Sequence, residues 1–576
     1  MRWAAGLGLL GIAALTATPA RAQTFARHVV VAQEPNAAAI GRAALRRGGN
    51  AVDAAVATAF ALAVTHPAAG NLGGGGFLVA FSAETGAVET IDFRERAPLA
   101  ATERMYLGPD GRLRPHHRAG PRAAGVPGTV RGLGLAHARL GSRPWAELVR
   151  PAARLAREGF AVSETLARSL NAQLFAAEAA ATPEDLGPGA DRLADFPASV
   201  AAFRKADGTR WAAGDRLVQP DLAATLDRIA AEGPDEFYTG RTAGLIAADA
   251  AAHGGLITRP DLAAYEAKPR PPVHGTFRGC DVYGMGPPSA GGIAVLLMLN
   301  ILERFDLKAD GPHAPRTLHR VAEAMRRAGF IRATEVADPD VVAVPVARLT
   351  SKPFAEELAR TITDRATPSA ALAPFAILEA EGDQTTHLST IDGAGNAVAL
   401  TYTLEEGYGS KAVVPGAGFL LNNEMGDFHL IPGRTDASGR IGTPANRIAP
   451  GKRMLSSQAP TIVLQRGQVR LVTGSPGGRT IPNTVLWVVL NVLEFGLDGR
   501  AAVDAPRTHH AWLPDALVLE GERWAPDTRA ALEAMGHTVR TAGLQGDAHS
   551  IALDPAGGRR LGVPDHRRRT ATAAGD

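Results

Sequence analysis

The chain has 576 residues, of which 45% are hydrophobic and 21% charged, so it has a globular composition and enough length for a large core. Its 61 basic and 58 acidic residues leave a formal charge of +3, which is too small to indicate a nucleic-acid partner. The basic cluster Arg567-Arg568-Arg569 is typical of a solvated tail. Cys280 is the single cysteine, so an intrachain disulfide is excluded.

The N-terminus has the three parts of a secretory signal peptide. A basic start at residues 1–2 precedes an apolar run over 3–15, and Ala-Arg-Ala at 20–22 is a small-x-small cleavage site. The run is too short to span a bilayer, and a buried N-terminal helix is the alternative. We therefore predict that residues 1–22 are removed and that the protein is secreted or periplasmic, without a membrane anchor.

The first half of the chain is predicted to be mainly helical, with one early hairpin. Two helices at 36–64 are separated by Gly48-Gly49-Asn50, a helix stop followed by a cap-like residue. Residues 73–98 alternate like a hairpin whose turn is at 84–86. Further helical patterns cover 127–270, 293–303 and 315–333.

The second half changes to strands. Strands are predicted at 385–403 (as a hairpin), 411–422, 459–465, 468–474, 517–520 and 548–553, with one helix at 480–495. Strands thus lie on both sides of a long helical middle. This order indicates a layered protein with two mostly antiparallel sheets covered by helices.

Thr385 stands at the upstream end of the hairpin predicted over 385–403. Threonine is common in strands, so an ordinary strand start is one explanation. The other is chemical: if the bond between Gln384 and Thr385 is cut, the new α-amine titrates near pH ~8 and can accept the proton of the threonine hydroxyl. The residues alone leave both explanations open.

Two further motifs carry polar groups after apolar segments. Glu424 and Asp427 follow a strand-like run and can face one pocket that favours an ammonium, or they are solvated acids at a turn. Ser456 and Ser457 can hydrogen-bond a carboxylate, or they cap a turn.

Anion-binding groups are also present. Gly477 and Gly478 lie in a glycine loop that leads into a helix, where backbone N–H groups suit a carboxylate or an oxyanion, although a plain strand-to-helix turn has the same pattern. Arg94 ends a predicted strand, where it can clamp a carboxylate or be simply exposed. The sequence suggests no metal and no organic cofactor, and it lacks the G-x-S-x-G elbow of serine hydrolases.

Together and in this order, the motifs resemble those of the γ-glutamyltransferases, also called glutathione hydrolases, of the N-terminal-nucleophile hydrolase superfamily. The likeness runs from about residue 26 to 566. It is carried by GNLGGGGFLVAF, IDFRERAP, PGTVRGL, PPSAGGI, TTHLSTIDGAGNAVALTYTLEEGYGSK, GFLLNNEMGDF, LSSQAPTIV and TGSPGGRTI. The resemblance implies an α+β fold, a four-layer αββα sandwich with two central, mostly antiparallel sheets.

The resemblance also implies how the protein is activated and what it does. The precursor is expected to cut itself between Gln384 and Thr385, which gives a large subunit (23–384) and a small subunit (385–576) that stay together. Thr385 is then the nucleophile that takes the γ-glutamyl group from glutathione or another γ-glutamyl compound. The group passes to water, an amino acid or a peptide.

Carried over position by position, the resemblance assigns a role to each motif. Arg94, Ser456 and Ser457 are expected to hold the α-carboxylate of the γ-glutamyl group, Glu424 and Asp427 its α-ammonium, Gly477 and Gly478 the oxyanion, and Thr403 the nucleophile's hydroxyl. Many family members have asparagine where this chain has Glu405, which makes the expected pocket more acidic. The segment 429–450 is long enough for a lid but lacks the tyrosine that some bacterial members use.

Two other functions compete with this one. A related amidohydrolase, such as a cephalosporin acylase, would keep the fold and nucleophile but take another acyl group. A non-catalytic, uncut protein that binds γ-glutamyl compounds would not need Thr385 or Thr403.

Overall fold

The structure is a computed structural model that describes residues 23–179, 191–372, 385–435, 441–553 and 558–576. The predicted signal peptide and Gln384 lie outside the described residues. No helix in the described ranges combines the length and the apolar character that crossing a bilayer requires.

The strands are numbered in chain order. They are β1 (Gln23–Phe25), β2 (Val29–Ala32), β3 (Gly75–Phe81), β4 (Val88–Phe93), β5 (Phe160–Ala161), β6 (Arg216–Leu217), β7 (Lys268–Arg270), β8 (Val273–Phe277), β9 (Cys280–Gly284), β10 (Thr386–Ile391), β11 (Ala397–Thr403), β12 (Thr461–Gln465), β13 (Gln468–Thr473), β14 (Thr508–His509), β15 (Leu517–Glu520), β16 (Val539–Ala542), β17 (Ser550–Leu553), β18 (Arg560–Val563) and β19 (Thr572–Gly575).

The α-helices are numbered in the same way. They are α1 (Pro35–Arg46), α2 (Ala51–Thr65), α3 (Thr129–Leu140), α4 (Trp145–Glu158), α5 (Glu164–Ala179), α6 (Pro197–Phe203), α7 (Pro220–Glu232), α8 (Asp235–Thr239), α9 (Arg241–Ala252), α10 (Arg259–Ala263), α11 (Gly291–Leu302), α12 (Leu307–Asp310), α13 (Pro315–Glu335), α14 (Val346–Leu349), α15 (Lys352–Arg360), α16 (Ile481–Leu493), α17 (Gly499–Asp504) and α18 (Pro526–Ala534).

Two seven-stranded sheets form the centre of the molecule. Sheet 1 has the spatial order β19-β2-β10-β11-β3-β4-β7, and sheet 2 has the order β1-β18-β17-β13-β12-β9-β8. All pairs within these two sheets are antiparallel. Two small sheets, β14-β15-β16 and β5-β6, lie outside this pair.

Alternation along the strands explains the layers. Val29 and Val31 of β2 belong to an apolar cluster shared with Ile462 of sheet 2, so this cluster lies between the sheets. Val30 faces the other way, into the core formed with α1 and α2. On the far side, sheet 2 packs against α11, which is fully buried, and α16, which is buried except for its last residue. The expected four-layer arrangement of helices, two antiparallel sheets and helices is therefore confirmed.

Local sequence signals account for the elements that were predicted well. Asn50 caps α2 by accepting hydrogen bonds from Val52 and Asp53, and Asp53 accepts from the Asn50 backbone in return. In the β10–β11 hairpin, Asp392 accepts from the backbone N–H groups of Ala394 at 2.9 Å and Asn396 at 3.0 Å. Both elements are confirmed.

The predicted strand at 411–422 is wrong. The segment forms only isolated bridges, one between Val413 and Leu420 around a turn and one between Leu421 and Gly73. Gly416 has φ +71° and Gly418 has φ +75°, values that a strand does not adopt. A side chain at Gly418 would also collide with the backbone of Leu222 in α7, so the chain approaches this helix too closely for an ordinary residue.

The prediction of a solvated C-terminal basic tail is also wrong. Arg567 is buried and forms ion pairs with Glu520 and with Asp565, the latter at 3.1 Å. The chain then continues into β19, which joins the edge of sheet 1 beside β2. Of the other two arginines, Arg568 is partly exposed and Arg569 is exposed. A run of like charges does not show which of its members have acidic partners elsewhere in the chain.

Candidate active site

The hairpin brings two threonines together. Thr386 pairs with Tyr402 across the β10–β11 ladder, so Thr385, one residue earlier, lies opposite Thr403. The Oγ1 atoms of Thr385 and Thr403 are 3.5 Å apart, and both side chains are buried. The Thr403 Oγ1 also accepts a hydrogen bond of 2.7 Å from the backbone N–H of Glu405. The antiparallel register alone therefore explains how these hydroxyls meet.

Asn71 is a residue that the sequence analysis did not single out. Its amide nitrogen donates to the backbone oxygens of Ala69 and Thr403, each at 2.8 Å. Its Oδ1 accepts from Gly74 N and from Thr129 Oγ1. A side chain at Gly74 would collide with the Thr403 carbonyl, which explains the glycine run after Asn71. Asn71 thereby fixes the end of β11.

Arg94 lies at the centre of a buried ionic cluster. Its Nη1 lies 2.7 Å from Glu424 Oε2 and 3.5 Å from Glu95 Oε2, and its Nη2 contacts Asp427 Oδ2. The Glu424 contact is an ion pair by distance, without hydrogen-bond geometry. A fourth contact runs from Nη2 to the Leu455 backbone oxygen at 3.0 Å. We call Arg94, Glu95, Glu424 and Asp427 the Arg94 cluster.

One cation among three carboxylates gives the Arg94 cluster an unusual charge balance. Burial raises the pKa of Glu424 well above its usual range, against the opposing effect of Arg94. Burial likewise raises the pKa of Glu95 to about 7. The pKa of Arg94 is itself raised, because its carboxylate neighbours outweigh its burial. Such a cluster favours an additional cationic group.

The sequence analysis assigned Arg94 to one ligand clamp and Glu424 with Asp427 to another. The structure brings these side chains into one cluster instead. The reason is a 3₁₀ turn, Glu424–Asp427, which places both acids against the guanidinium. Asp427 is the most exposed of the three carboxylates, with 27% of its side chain accessible, whereas Glu95 and Glu424 are fully buried.

The two serines lie directly after the carbonyl that Arg94 contacts. Ser457 Oγ accepts a hydrogen bond of 2.7 Å from Arg332 Nε, and Ser456 Oγ accepts one of 3.2 Å from the Gln458 backbone. Arg332 was missed because it belongs to the distant helix α13. Asn446 was also missed: it donates to Asp427 O at 2.7 Å and accepts from Leu455 N at 2.9 Å. It thus ties the serine segment to the acidic turn.

Glu405 connects the two halves of the site. It has φ +80°, in the left-handed region that few non-glycine residues adopt. Its neighbours are bonded to the acidic segment: Asn423 N donates to Leu404 O at 3.0 Å, and Glu406 N donates to Asn423 Oδ1 at 3.1 Å. The negative charge of Glu405 contributes to raising the pKa of Glu424.

Gly477 and Gly478 form the turn that leads into α16. Their φ values are +127° and +52°, so both positions require glycine-like freedom. A 3₁₀ turn, Gly478–Thr480, precedes the first residue of the helix. Earlier in the same loop, a side chain at Gly474 would collide with the buried ring of His387 in β10. The loop therefore packs on the strand that begins after Thr385.

The predicted lid is only partly described, because 436–440 lie outside the described residues. Its two flanks are joined by a hydrogen bond of 2.9 Å from His429 N to Asn446 O. Thr443 Oγ1 donates to Ala333 O in α13 at 2.7 Å. The gating role of this segment stays a prediction.

Thr385 also lines a cavity of about 780 Å³, which we call the Thr385 cavity. Its wall includes the basic side chains Arg118, Arg192, Lys411 and Arg568 and the acidic side chains Glu34, Asp191, Glu406 and Asp547. Arg94, Glu424 and Asp427 do not belong to this wall. Thr385, the candidate nucleophile, therefore borders a cavity whose wall carries both positive and negative side chains.

Two stacked antiparallel sheets between helical layers, with a threonine at the start of a central strand, define the class of N-terminal-nucleophile hydrolases. The crystal structure of a cephalosporin acylase from Bacillus halodurans has this fold. It matches with a TM-score of 0.82 and 27% sequence identity, over 99% of this chain and 99% of that chain.

Sequence comparison then identifies the family within this class. Residues 37–575 match the gamma-glutamyltranspeptidase family, and the chain belongs to this family. It is 44% identical over 554 residues to the glutathione hydrolase proenzyme of Escherichia coli (strain K12), covering 95% of this chain and 91% of that protein. It is 37% identical over 541 residues to the acylase ACY 1 proenzyme of Pseudomonas sp. (strain SE83), covering 92% and 90%. The resemblance read from the motifs is confirmed.

Proposed function

We propose that this enzyme is a γ-glutamyltransferase and glutathione hydrolase that activates itself by cutting before Thr385. The observation that carries the proposal is the position of Thr385 immediately before β10, opposite Thr403 and connected through 404–424 to the Arg94 cluster. Membership of the gamma-glutamyltranspeptidase family supports the same activity.

Activation needs only groups of the chain and water. The Thr385 hydroxyl adds to the carbonyl carbon of residue 384, the C–N bond breaks, and the nitrogen takes the hydroxyl proton. Water then hydrolyses the resulting ester and frees Thr385 with its own α-amine. Thr403, whose Oγ1 lies 3.5 Å from that of Thr385, orients the hydroxyl. The products are the subunits 23–384 and 385–576.

The Arg94 cluster suits the amino-acid head of a γ-glutamyl group. The substrate ammonium reaches Asp427 first, because this carboxylate is the exposed one. The substrate carboxylate binds at Arg94 with the hydroxyls of Ser456 and Ser457. Glu95 and Glu424 are fully buried beside Arg94 and add negative charge to the site. The positive charge of the incoming ammonium therefore offsets the excess of carboxylates over cations in the cluster.

Turnover repeats the chemistry of activation on the substrate. The α-amine of Thr385 takes the hydroxyl proton, the oxygen attacks the γ-carbonyl, and the leaving amine receives that proton. Backbone N–H groups at Gly477 and Gly478 stabilise the oxyanion. The γ-glutamyl ester on Thr385 is then released by water or by an amino acid or peptide.

An acylase activity is the second candidate, because an acylase relative and an acylase structure match most of the chain. The Arg94 cluster argues for the first. An acyl group without an ammonium and a carboxylate would leave one cation and three carboxylates, two of them fully buried, without a matching ligand.

The signal-peptide pattern at 1–22 supports export to the periplasm or the medium as part of the proposal. Glutathione and other γ-glutamyl compounds of that compartment are then the substrates, and the two subunits remain associated.

Intact-mass analysis of the wild type beside Thr385→Ala tests the activation. Scaling the chain mass of 59.9 kDa gives subunits of roughly 38 and 20 kDa for the wild type, and one uncut chain for the variant. A single uncut band in a fully active wild type would contradict the mechanism. Activity on a γ-glutamyl anilide against the matching glutaryl anilide separates the two candidates: faster release from the glutaryl compound would favour an acylase.

A further inference from the structure

Asp547 is a buried carboxylate that the mechanism above does not use. Its side chain is 1% exposed, and neither of its oxygens has a hydrogen-bond partner among the described residues. The nearest basic groups are His549 Nε2 at 3.4 Å and Arg568 Nε at 3.5 Å. Asp547 lies on the wall of the Thr385 cavity. A buried, unsatisfied carboxylate facing a cavity indicates a place for a donor or a cation.

The position of Asp547 is fixed by the protein. Its backbone N–H donates to Ser475 Oγ at 2.8 Å, and Ser475 belongs to the loop that leads to Gly477. Gly546 has φ +68°, and a side chain there would collide with Thr484 of α16. The Asp547 carboxylate is therefore held near Thr385 and near the loop that contains Gly477 and Gly478.

Arg568 supplies the opposite charge. Its side chain is 42% exposed, and it lines both the Thr385 cavity and a second cavity of about 550 Å³ whose wall includes Gly477. Two of the other basic side chains on this wall, Arg118 and Lys411, are already engaged. Arg118 lies 3.2 Å from Glu406, and Lys411 donates to Gly407 O at 2.6 Å. Arg192 also lines this wall, with its Nε and Nη1 atoms buried and without hydrogen-bond partners among the described residues. Arg568 is the cation that lies beside Asp547 and also reaches the cavity at Gly477.

We propose that Asp547 and Arg568 bind the amino acid or dipeptide that accepts the γ-glutamyl group from Thr385. This inference rests on the proposed function. Asp547 receives the acceptor's ammonium and Arg568 its carboxylate. The two side chains carry opposite charges, lie 3.5 Å apart and are not hydrogen-bonded to each other, an arrangement that matches the two charges of a zwitterion.

The transfer step balances as follows. The acceptor ammonium loses one proton to solvent water and becomes a neutral amine, which Asp547 holds as a hydrogen-bond acceptor. The amine nitrogen forms a bond to the γ-carbonyl carbon, and the bond from that carbon to Thr385 Oγ breaks. Thr385 Oγ takes the second proton from the nitrogen through its α-amine. The enzyme is regenerated, and the product is a γ-glutamyl amino acid or peptide.

Arg568→Ala is tested beside Arg569→Ala, a control at the exposed neighbouring arginine. A γ-glutamyl anilide serves as donor, without acceptor to measure hydrolysis and with glycylglycine to measure transfer. We expect Arg568→Ala to raise the KM for glycylglycine at least about tenfold, the loss of one charge-assisted contact. The KM for glycylglycinamide, which has no carboxylate, is expected to change less than twofold. Arg569→Ala should change neither KM.

Asp547→Asn tests the other half of the site. We expect the ratio of transfer to hydrolysis to fall at least about fivefold while cleavage before Thr385 still occurs. Loss of cleavage would show that Asp547 serves Thr385 and would overturn the proposal. Equal losses of hydrolysis and transfer in Arg568→Ala would overturn it as well. A wild type that releases no anilide would instead refute the proposed function, so the two failures are distinguishable.

Discussion

The Arg94 cluster and the Thr385 cavity differ in how their charges are satisfied. In the cluster, one guanidinium touches three carboxylates, two of them fully buried. In the cavity, Asp547 and Arg568 face each other at 3.5 Å without a hydrogen bond, and Arg568 is partly in solvent. The charges of the first region are closely paired and mostly buried, whereas those of the second border an open cavity.

This difference has a consequence for specificity. A closed cluster with an excess of acid binds one kind of head group, because any other ligand leaves buried charges unmatched. An open pair of opposite charges binds the part that all amino acids share and leaves their side chains unconstrained. We therefore expect a strict γ-glutamyl donor and a broad range of acceptors.

Of the substitutions considered, removal of the Arg94 guanidinium should lower the activity most. Arg94→Ala leaves three carboxylates without their partner, and we expect kcat/KM for a γ-glutamyl anilide to fall at least about 100-fold. For an analogue that lacks the α-carboxylate, the same substitution should lower kcat/KM much less. Equal losses with both compounds would contradict the carboxylate role. Arg94→Lys, which keeps the charge, is the matched variant if the alanine variant does not fold.

The Thr385–Thr403 contact should have the next largest effect. Thr403→Val keeps the shape of the side chain and removes the hydroxyl, so we expect kcat to fall on the order of tenfold. Thr403→Ser keeps the hydroxyl and should stay within about twofold of the wild type. Steady-state hydrolysis measures both. If valine and serine gave the same rate, the hydroxyl of Thr403 would have no part in orienting the nucleophile.

The sequence predicted local features of the structure better than contacts between distant segments. Elements specified by neighbours in the chain were predicted correctly, such as the Asn50 cap and the turn at 392–396. The order of the motifs also gave the family and the four layers. Contacts over long separations could not be predicted. Arg332 on Ser457 and Asn446 between Asp427 and Leu455 depend on how distant segments fold together.

The assignment of separate clamps failed for a related reason. Spacing along the chain showed that Glu424 and Asp427 share one turn, but not that Arg94, more than three hundred residues earlier, packs against it. The buried partner of Arg567 was missed in the same way. Burial decides which charges pair, and a single sequence shows charge without burial.

The acid excess of the Arg94 cluster should appear in the pH dependence of stability. The pKa of Glu95 is raised to about 7, above its unfolded value of about 4.5, so the folded state binds the extra proton between these values. The stability should therefore fall as the pH rises through this window and stay low above it. Glu95→Gln should remove this loss, because glutamine does not titrate.

Thermal unfolding of Glu95→Gln at pH 5 and pH 8 measures this effect. The comparison is made in the Thr385→Ala background, so that both proteins are single uncut chains. We expect the two proteins to unfold at similar temperatures at pH 5 and the glutamine variant to be the more stable at pH 8. A difference of the same size at both pH values would mean that Glu95 does not titrate in the cluster.

The smallest effect is expected at Glu405, which joins the two regions. Asparagine adopts positive φ more readily than glutamate, so Glu405→Asn should relieve strain at φ +80° and raise the stability by up to about 1 kcal/mol. It also removes a negative charge that raises the pKa of Glu424. We expect the KM for the donor to change by only a few fold. Glu405→Gln removes the charge but keeps the side-chain length, so it separates the effect of the charge from the effect of the backbone strain. If both variants are equally stable, the gain comes from charge; if only asparagine is stabilising, it comes from the backbone.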